Sequence, residues 1–269
     1  MANKYKQWLP PISIERFKPL FRYGVYFSRL YEDWESASNA ATGYDADIIL
    51  QKVKDATLEV IAGRATFERD SVLFNEAQHS FPMLAGLLRA AVENKGQLSV
   101  LDFGGSLGSS YFQSREFLSV VNSLNWAVVE QPHFVRCGRE FIESEQLKFY
   151  FDIDDVLAEV KPNVALLASV LQYLPDPSNV LSTLMRSSIK YLIIDRTPFS
   201  DALNDSITIQ HVPPLIYPAS YPCRIFSKQA LMTHLSKSYE IVAEFTNVEG
   251  AAIAGNLKFT FGGMILRRT

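Results

Sequence analysis

Asp102-Phe103-Gly104-Gly105-Ser106-Leu107-Gly108 is the stretch of this 269-residue chain whose residue types and spacing can do chemistry. The apolar run before it, Leu98 to Leu101, reads as the end of a buried strand; Asp102 stops it, and a helix is expected from about Ser109. A strand, a glycine turn and a helix in that order present backbone N–H groups at a helix N-terminus, where a nucleotide-like ligand can lie close to the main chain. Glycine suits such a turn because it tolerates positive φ and has no Cβ to hold the ligand off. The glycines fall at 104, 105 and 108, which does not fit the dinucleotide spacing G-x-G-x-x-G.

Further polar groups stand where strands are expected to end. Asp102 ends the first, Glu130 the second, Asp152 follows the third, and Ser169 ends the fourth. Ligands of an open parallel sheet lie beyond those carboxyl ends. Glu130 comes 28 residues after Asp102, a spacing at which a carboxylate can accept two hydrogen bonds from the vicinal diol of an adenosine ribose. Asp152 can accept from an adenine amino group while Ile153 packs on the ring. Acids at strand ends also cap the helices that follow; a row of them at consecutive ends favours a site. Of the four histidines, His133 and His234 read as structural, and His79 can reach the site only if the N-terminal segment folds over it. His211 lies in a 29-residue, proline-rich connection, Arg196–Arg224, and its ring could serve as a general base at neutral pH. A connection that long reads as a lid or binding loop, with Tyr217 and Tyr221 lining an acceptor pocket.

The elements that must position these groups alternate. Strands are expected at Leu98–Phe103, Trp126–Glu130, Leu147–Phe151, Val164–Ser169 and Tyr191–Ile194, with helices at Tyr111–Leu124, Phe134–Glu145 and Val180–Ser188 between them. That order predicts an α/β fold whose parallel sheet is covered on both faces. A helix at Lys228–Ser236 and strands at Glu240–Thr246 and Lys258–Leu266 follow, the last two as an antiparallel hairpin. Ahead of the first strand, residues 1–45 are aromatic-rich and irregular, expected to pack over the chain's own domain. Helices are expected at Asp47–Gly63, capped by Asp45 or Asp47, and at Phe81–Asn94.

Composition bounds the partners. Hydrophobic residues make up 48% and charged residues 20%, ordinary for a soluble globular protein. A net charge of −3, without a run of like charges, argues against a nucleic-acid binder. No apolar run is long enough for a transmembrane helix. Cys137 and Cys223 make no metal or disulfide pattern, which fits a reduced, cytoplasmic setting.

The turn resembles the acid-x-G-x-G-x-G motif of class I S-adenosylmethionine-dependent methyltransferases, with Ser106 where the middle glycine usually stands. More narrowly, the chain resembles a family of methyltransferase-like proteins associated with bacterial surface-polysaccharide gene clusters. The residues that carry this are Gly43-Tyr44-Asp45, Phe67-Glu68-Arg69-Asp70-Ser71-Val72-Leu73-Phe74, Leu101 to Gly105, Val129-Glu130-Gln131-Pro132, Ser169 to Leu174 and Ile194-Asp195-Arg196-Thr197-Pro198. The resemblance implies a Rossmann-like class I methyltransferase fold: a seven-stranded, mostly parallel sheet with a C-terminal antiparallel hairpin in residues 96–269, after a mainly helical segment, 1–95.

It further implies S-adenosylmethionine as cofactor, held by Asp102, Gly104, Gly105, Ser106, Gly108, Glu130, Gln131, Asp152, Ile153, Ser169 and Val170. Methyl transfer from a sulfonium needs in-line positioning, plus a base where the acceptor is a hydroxyl. His211 is the expected base, with Asp195 and Arg196 orienting it or the acceptor, and Gln172, Tyr173, Tyr217 and Tyr221 binding the acceptor. No metal is expected. The expected acceptor is an oxygen of a sugar or another small polar metabolite. An NAD-dependent Rossmann enzyme and a non-catalytic methyltransferase-like binding module are the alternatives.

Overall fold

The computed structural model describes residues 24–43, 46–69, 72–75, 79–213 and 219–269. Strand β1 (Tyr26–Tyr31) opens the described chain, followed by helix α1 (Trp34–Ala40), whose N-cap Asp33 and Ser36 form a reciprocal capping box. Helix α2 (Ala46–Ile61) leads to a two-stranded hairpin of β2 (Phe67–Arg69) and β3 (Val72–Phe74), then to α3 (Phe81–Glu93), with Pro82 in its first turn. The alternating part follows: β4 (Gln97–Phe103), α4 (Ser109–Ser114), β5 (Ser123–Val129), α5 (Pro132–Phe141), β6 (Leu147–Tyr150), α6 (Ile153–Glu159), β7 (Val164–Ala168) and α7 (Pro177–Arg186). The chain closes with β8 (Tyr191–Ser200), β9 (Ser206–Val212), β10 (Ala219–Ser227), α8 (Lys228–Leu235), β11 (Tyr239–Ala254) and β12 (Leu257–Arg268).

Five strands run parallel in the order β6-β5-β4-β7-β8. They read as unbroken apolar runs because both faces are covered. In β4, Val100 faces a core built with α2, α3, α4 and α5, and its neighbour Leu101 faces the other, built with α6, α7 and α8. Strand β12 pairs antiparallel with β8, and β11 pairs antiparallel with β12.

The sheet holds ten strands, not the expected seven. The three additional ones are β1, β9 and β10, joined antiparallel in that order. Two lie in the connection expected to be a loop: Ser206-Ile207-Thr208-Ile209 is rich in β-branched residues, and such residues extend rather than coil. Pro222 does not prevent the pairing, because β10 at that point has β9 on one side only and meets β8 just at Phe226 and Ser227. The expected helix Tyr111–Leu124 is also shorter. After α4 the chain makes a 3-10 turn at Phe117–Val120 and enters β5 at Ser123.

Beyond Asp195, β8 leaves β7 and pairs with β10 instead. The β1-β9-β10 layer therefore continues over the carboxyl edge of the parallel strands. Residues 1–23, Asp45 and Tyr217 lie outside the described residues. No helix among the described residues is long and apolar enough to cross a membrane.

Candidate functional site

In chain order β4 is followed outward by β5 and β6, and then the chain returns to the opposite side with β7 and β8. The switch of direction lies between β4 and β7, where open α/β sheets leave a crevice at their carboxyl ends. A cavity of about 590 Å³ lies there. Its floor is Phe103 and Gly104 at the end of β4, Val129 to Pro132 at the end of β5 with Phe134 of α5, Phe151 after β6, and Ser169 and Val170 after β7. Tyr173, Leu174, Tyr221 and Pro222 close one side, and Trp34 of α1 and Ile49 of α2 close another. Helices α1 and α2 of the N-terminal segment and the added strand β10 are thus part of the cavity wall.

The glycine turn is shaped by close packing. Gly104 has φ +73, and a Cβ there would lie 2.3 Å from Val170 Cγ2. A Cβ on Gly105 would meet the Asp102 carboxyl at 2.6 Å. Gly108 (φ +91) is the N-cap of α4, and Ser106 holds φ +55 where the resemblance expects the middle glycine. Ser169 (φ +57) and Arg196 (φ +50) adopt the same left-handed region at the ends of β7 and in β8. Such backbone costs about 1–3 kcal/mol for a non-glycine residue and gathers at functional sites. Here three instances sit on one edge of one sheet.

Three carboxyls behave differently there. Asp102 is fully buried; Trp126 Nε1 donates to its Oδ2 at 2.9 Å, and Oδ1 has no protein partner. Burial pushes this carboxyl up to about 7, against the pull of the Trp126 hydrogen bond and the Arg196 charge. It lies beneath Gly105 and does not line the cavity. Glu130 does line it, and burial raises its carboxyl while the N–H groups of Gln131 and Ser106 hold it down. Asp152 turns away: it caps α6, accepting from Asp155 N at 2.9 Å, and Ile153 is buried in the core. Phe151, one residue earlier, takes the cavity wall in their place.

On the acceptor side, the Tyr173 hydroxyl donates to Gln210 Oε1 at 3.0 Å, and Gln210 Nε2 donates to the Tyr221 hydroxyl at 3.2 Å. The two rings meet edge to face, 5.2 Å apart. Gln172 is wholly buried and does not reach the cavity. Its amide donates to Ser169 Oγ (3.0 Å) and the Arg196 carbonyl (3.2 Å), tying two left-handed residues together. Asp195 is buried too, accepting from Asn247 Nδ2 at 2.8 Å, while Asn247 Oδ1 accepts from Arg196 N at 3.1 Å. Asn247 comes from the irregular stretch of β11 between Thr246 and Ala251, where the hairpin register shifts. His211 faces Tyr26 across the β1–β9 seam, their rings stacked 4.5 Å apart, and does not line the cavity. Burial pushes its imidazole down, favouring the neutral ring.

No family model matches the chain, and no curated protein matches it. Among solved structures, the N-terminal domain of EvdMO1, crystallised with S-adenosylhomocysteine and D-fucose, aligns at 14% identity with a TM-score of 0.47. The alignment covers 84% of this chain and 98% of that one. CalS10 of Micromonospora echinaspora, an amino pentose methyltransferase, aligns at 10% identity, TM-score 0.44, over 71% and 92%. The magnesium protoporphyrin IX methyltransferase of Synechocystis PCC 6803 aligns at 12% identity, TM-score 0.43, over 85% and 99%. At these scores the likenesses carry no argument about activity.

Proposed function

We propose that the chain is an S-adenosylmethionine-dependent methyltransferase acting on an oxygen of a sugar or another small polar metabolite of polysaccharide biosynthesis. The observation that carries this reading is the left-handed Gly104, packed on Val170 and opening directly into the switch-point cavity beside Glu130. A cavity with a backbone floor at one end, a carboxylate at the next strand end and an aromatic wall beyond it fits an adenosyl ligand. Glu130 would hold the ribose diol, the turn Gly104–Gly108 the amino-acid end, and Phe151 with Phe134 the adenine. When bound, the cofactor supplies an electrophilic methyl group on a sulfonium.

The chain's own task is then to orient an acceptor and exclude water. Tyr173 and Tyr221, bridged by Gln210, would hold acceptor hydroxyls, and Trp34 and Ile49 would close the cavity. The wall's titratable groups, among the described residues, are Glu130, Tyr173 and Tyr221. His211 enters as a group of the cap seam, next to the strand that carries Tyr221, and Asp195 with Arg196 as the braced end of β8. On this reading residues 96–269 are the methyltransferase domain, and the described residues of the segment 1–95 contribute its cover. The antiparallel β12 beside β8 and the glycine spacing favour this over a nicotinamide-dependent enzyme. Calorimetric titration with S-adenosylhomocysteine and NAD tests it: heat with the first and none with the second is expected.

A further inference from the structure

The end of the switch-point cavity away from the glycine turn is lined by Trp34, Tyr173, Leu174, Tyr221 and Pro222. Trp34 is the first residue of α1, and its place is set from two sides. The capping box fixes the start of the helix, with Asp33 Oδ1 accepting from Ser36 N at 2.7 Å. The helix packs on β9 and on β10, the strand that carries Tyr221 and Pro222. The Arg224 guanidinium lies over the indole, its Cζ 5.8 Å from the ring centroid. Arg224 is in turn held by Asp205 (3.4 Å) and the Pro175 carbonyl (2.9 Å). The indole is thus fixed by groups of its own chain while it lines the cavity.

The face of an indole is electron-rich and attracts the weakly positive C–H groups of a saturated ring. A pyranose presents such C–H groups on its faces and hydroxyls around its edge. The hydroxyls of Tyr173 and Tyr221, joined through Gln210, stand in the same wall as partners for that edge. Charge points the same way. Among the described residues the cavity wall holds one carboxyl, Glu130, and no cation, and both terminal nitrogens of Arg224 are engaged. A phosphate on the acceptor would lose water here without a cation to receive it. We infer that Trp34 is the residue on which the acceptor ring stacks, and that the acceptor is a neutral pyranoside, not a sugar phosphate or a nucleotide sugar. This rests on the methyltransferase reading and names its acceptor class.

The test titrates protein saturated with S-adenosylhomocysteine, by calorimetry, with the methyl glycosides of glucose, galactose and mannose, with the three corresponding sugar 1-phosphates, and with catechol. At least one glycoside should bind saturably, and more tightly than its 1-phosphate by about tenfold or more. Trp34→Leu keeps an apolar side chain without the ring and should weaken that glycoside by about tenfold or more. Trp34→Phe keeps an aromatic face and should stay within about threefold of the parent. S-Adenosylhomocysteine alone should bind both variants within about threefold of the parent, because Glu130 and the glycine turn are untouched. Tighter binding of a 1-phosphate or of catechol, no binding of any glycoside, or equal effects of the two substitutions overturns the inference while leaving the methyltransferase reading standing. Wild-type protein that does not bind S-adenosylhomocysteine overturns that reading and this assignment together.

Discussion

Gly104 packs on Val170 so closely that a Cβ at position 104 would lie 2.3 Å from the Val170 Cγ2, and its φ of +73 is one that side chains rarely adopt. Gly104→Val should therefore abolish detectable S-adenosylhomocysteine binding. Gly104→Ala combined with Val170→Ala relieves the contact but keeps the left-handed backbone, at about 1 kcal/mol or more. The double variant should recover part of the affinity that Gly104→Ala loses, as titration of the two side by side will show.

Glu130→Ala removes the one carboxylate in the cavity wall among the described residues. Binding of S-adenosylhomocysteine should weaken by roughly ten- to a hundredfold, for a loss of about 1.5–3 kcal/mol. The melting temperature without ligand should not fall, because burial raises the Glu130 carboxyl and its removal relieves that cost. Unchanged affinity would make Glu130 a mere cap for the turn.

The site was legible where chemistry follows a strand in sequence. Gly104, Glu130 and Ser169 stand in the cavity wall because each comes directly after a parallel strand; Val170 is next to Ser169, and Tyr173 lies four residues beyond Ser169. The third strand shows the limit of that rule. It ends at Tyr150, so Phe151 takes the wall and Asp152, with Asp155 three residues on, caps α6. That Asp-x-x-Asp pattern at a helix start was the available signal. Trp34, Gln210 and Asn247 were not legible. Their places depend on β1-β9-β10 and on the shifted register of β11, pairings between residues far apart in sequence. The cap of α1 was readable in Asp33 and Ser36, but nothing local says which face of the molecule that helix covers.

Asp102 gives the stability a pH dependence of known sign. Its carboxyl is raised from 3.8 to about 7 in the folded state, so the folded state holds a proton that the unfolded chain has released. Stability from this group is therefore lost as pH rises from about 4 through 7, by up to about 4 kcal/mol. The raised Glu130 contributes in the same direction. Asp102→Asn keeps an acceptor for Trp126 and removes the titration. Urea melts between pH 4 and 8 should fall less steeply for the variant than for the parent.

Gln210 is nearly buried and joins two hydroxyls of the cavity wall. Gln210→Leu leaves both without that bridge and should cost about 1–3 kcal/mol of stability. S-Adenosylhomocysteine affinity should stay within about threefold, because Glu130 and the glycine turn are untouched. With an acceptor in hand, KM should rise more than kcat falls.

The most direct measurement is calorimetric titration of the wild-type chain with S-adenosylhomocysteine, set beside NAD. The account predicts saturable, one-to-one binding of S-adenosylhomocysteine, lost in Gly104→Val, and no heat with NAD. Binding of NAD, with none of S-adenosylhomocysteine at millimolar concentration, would contradict it.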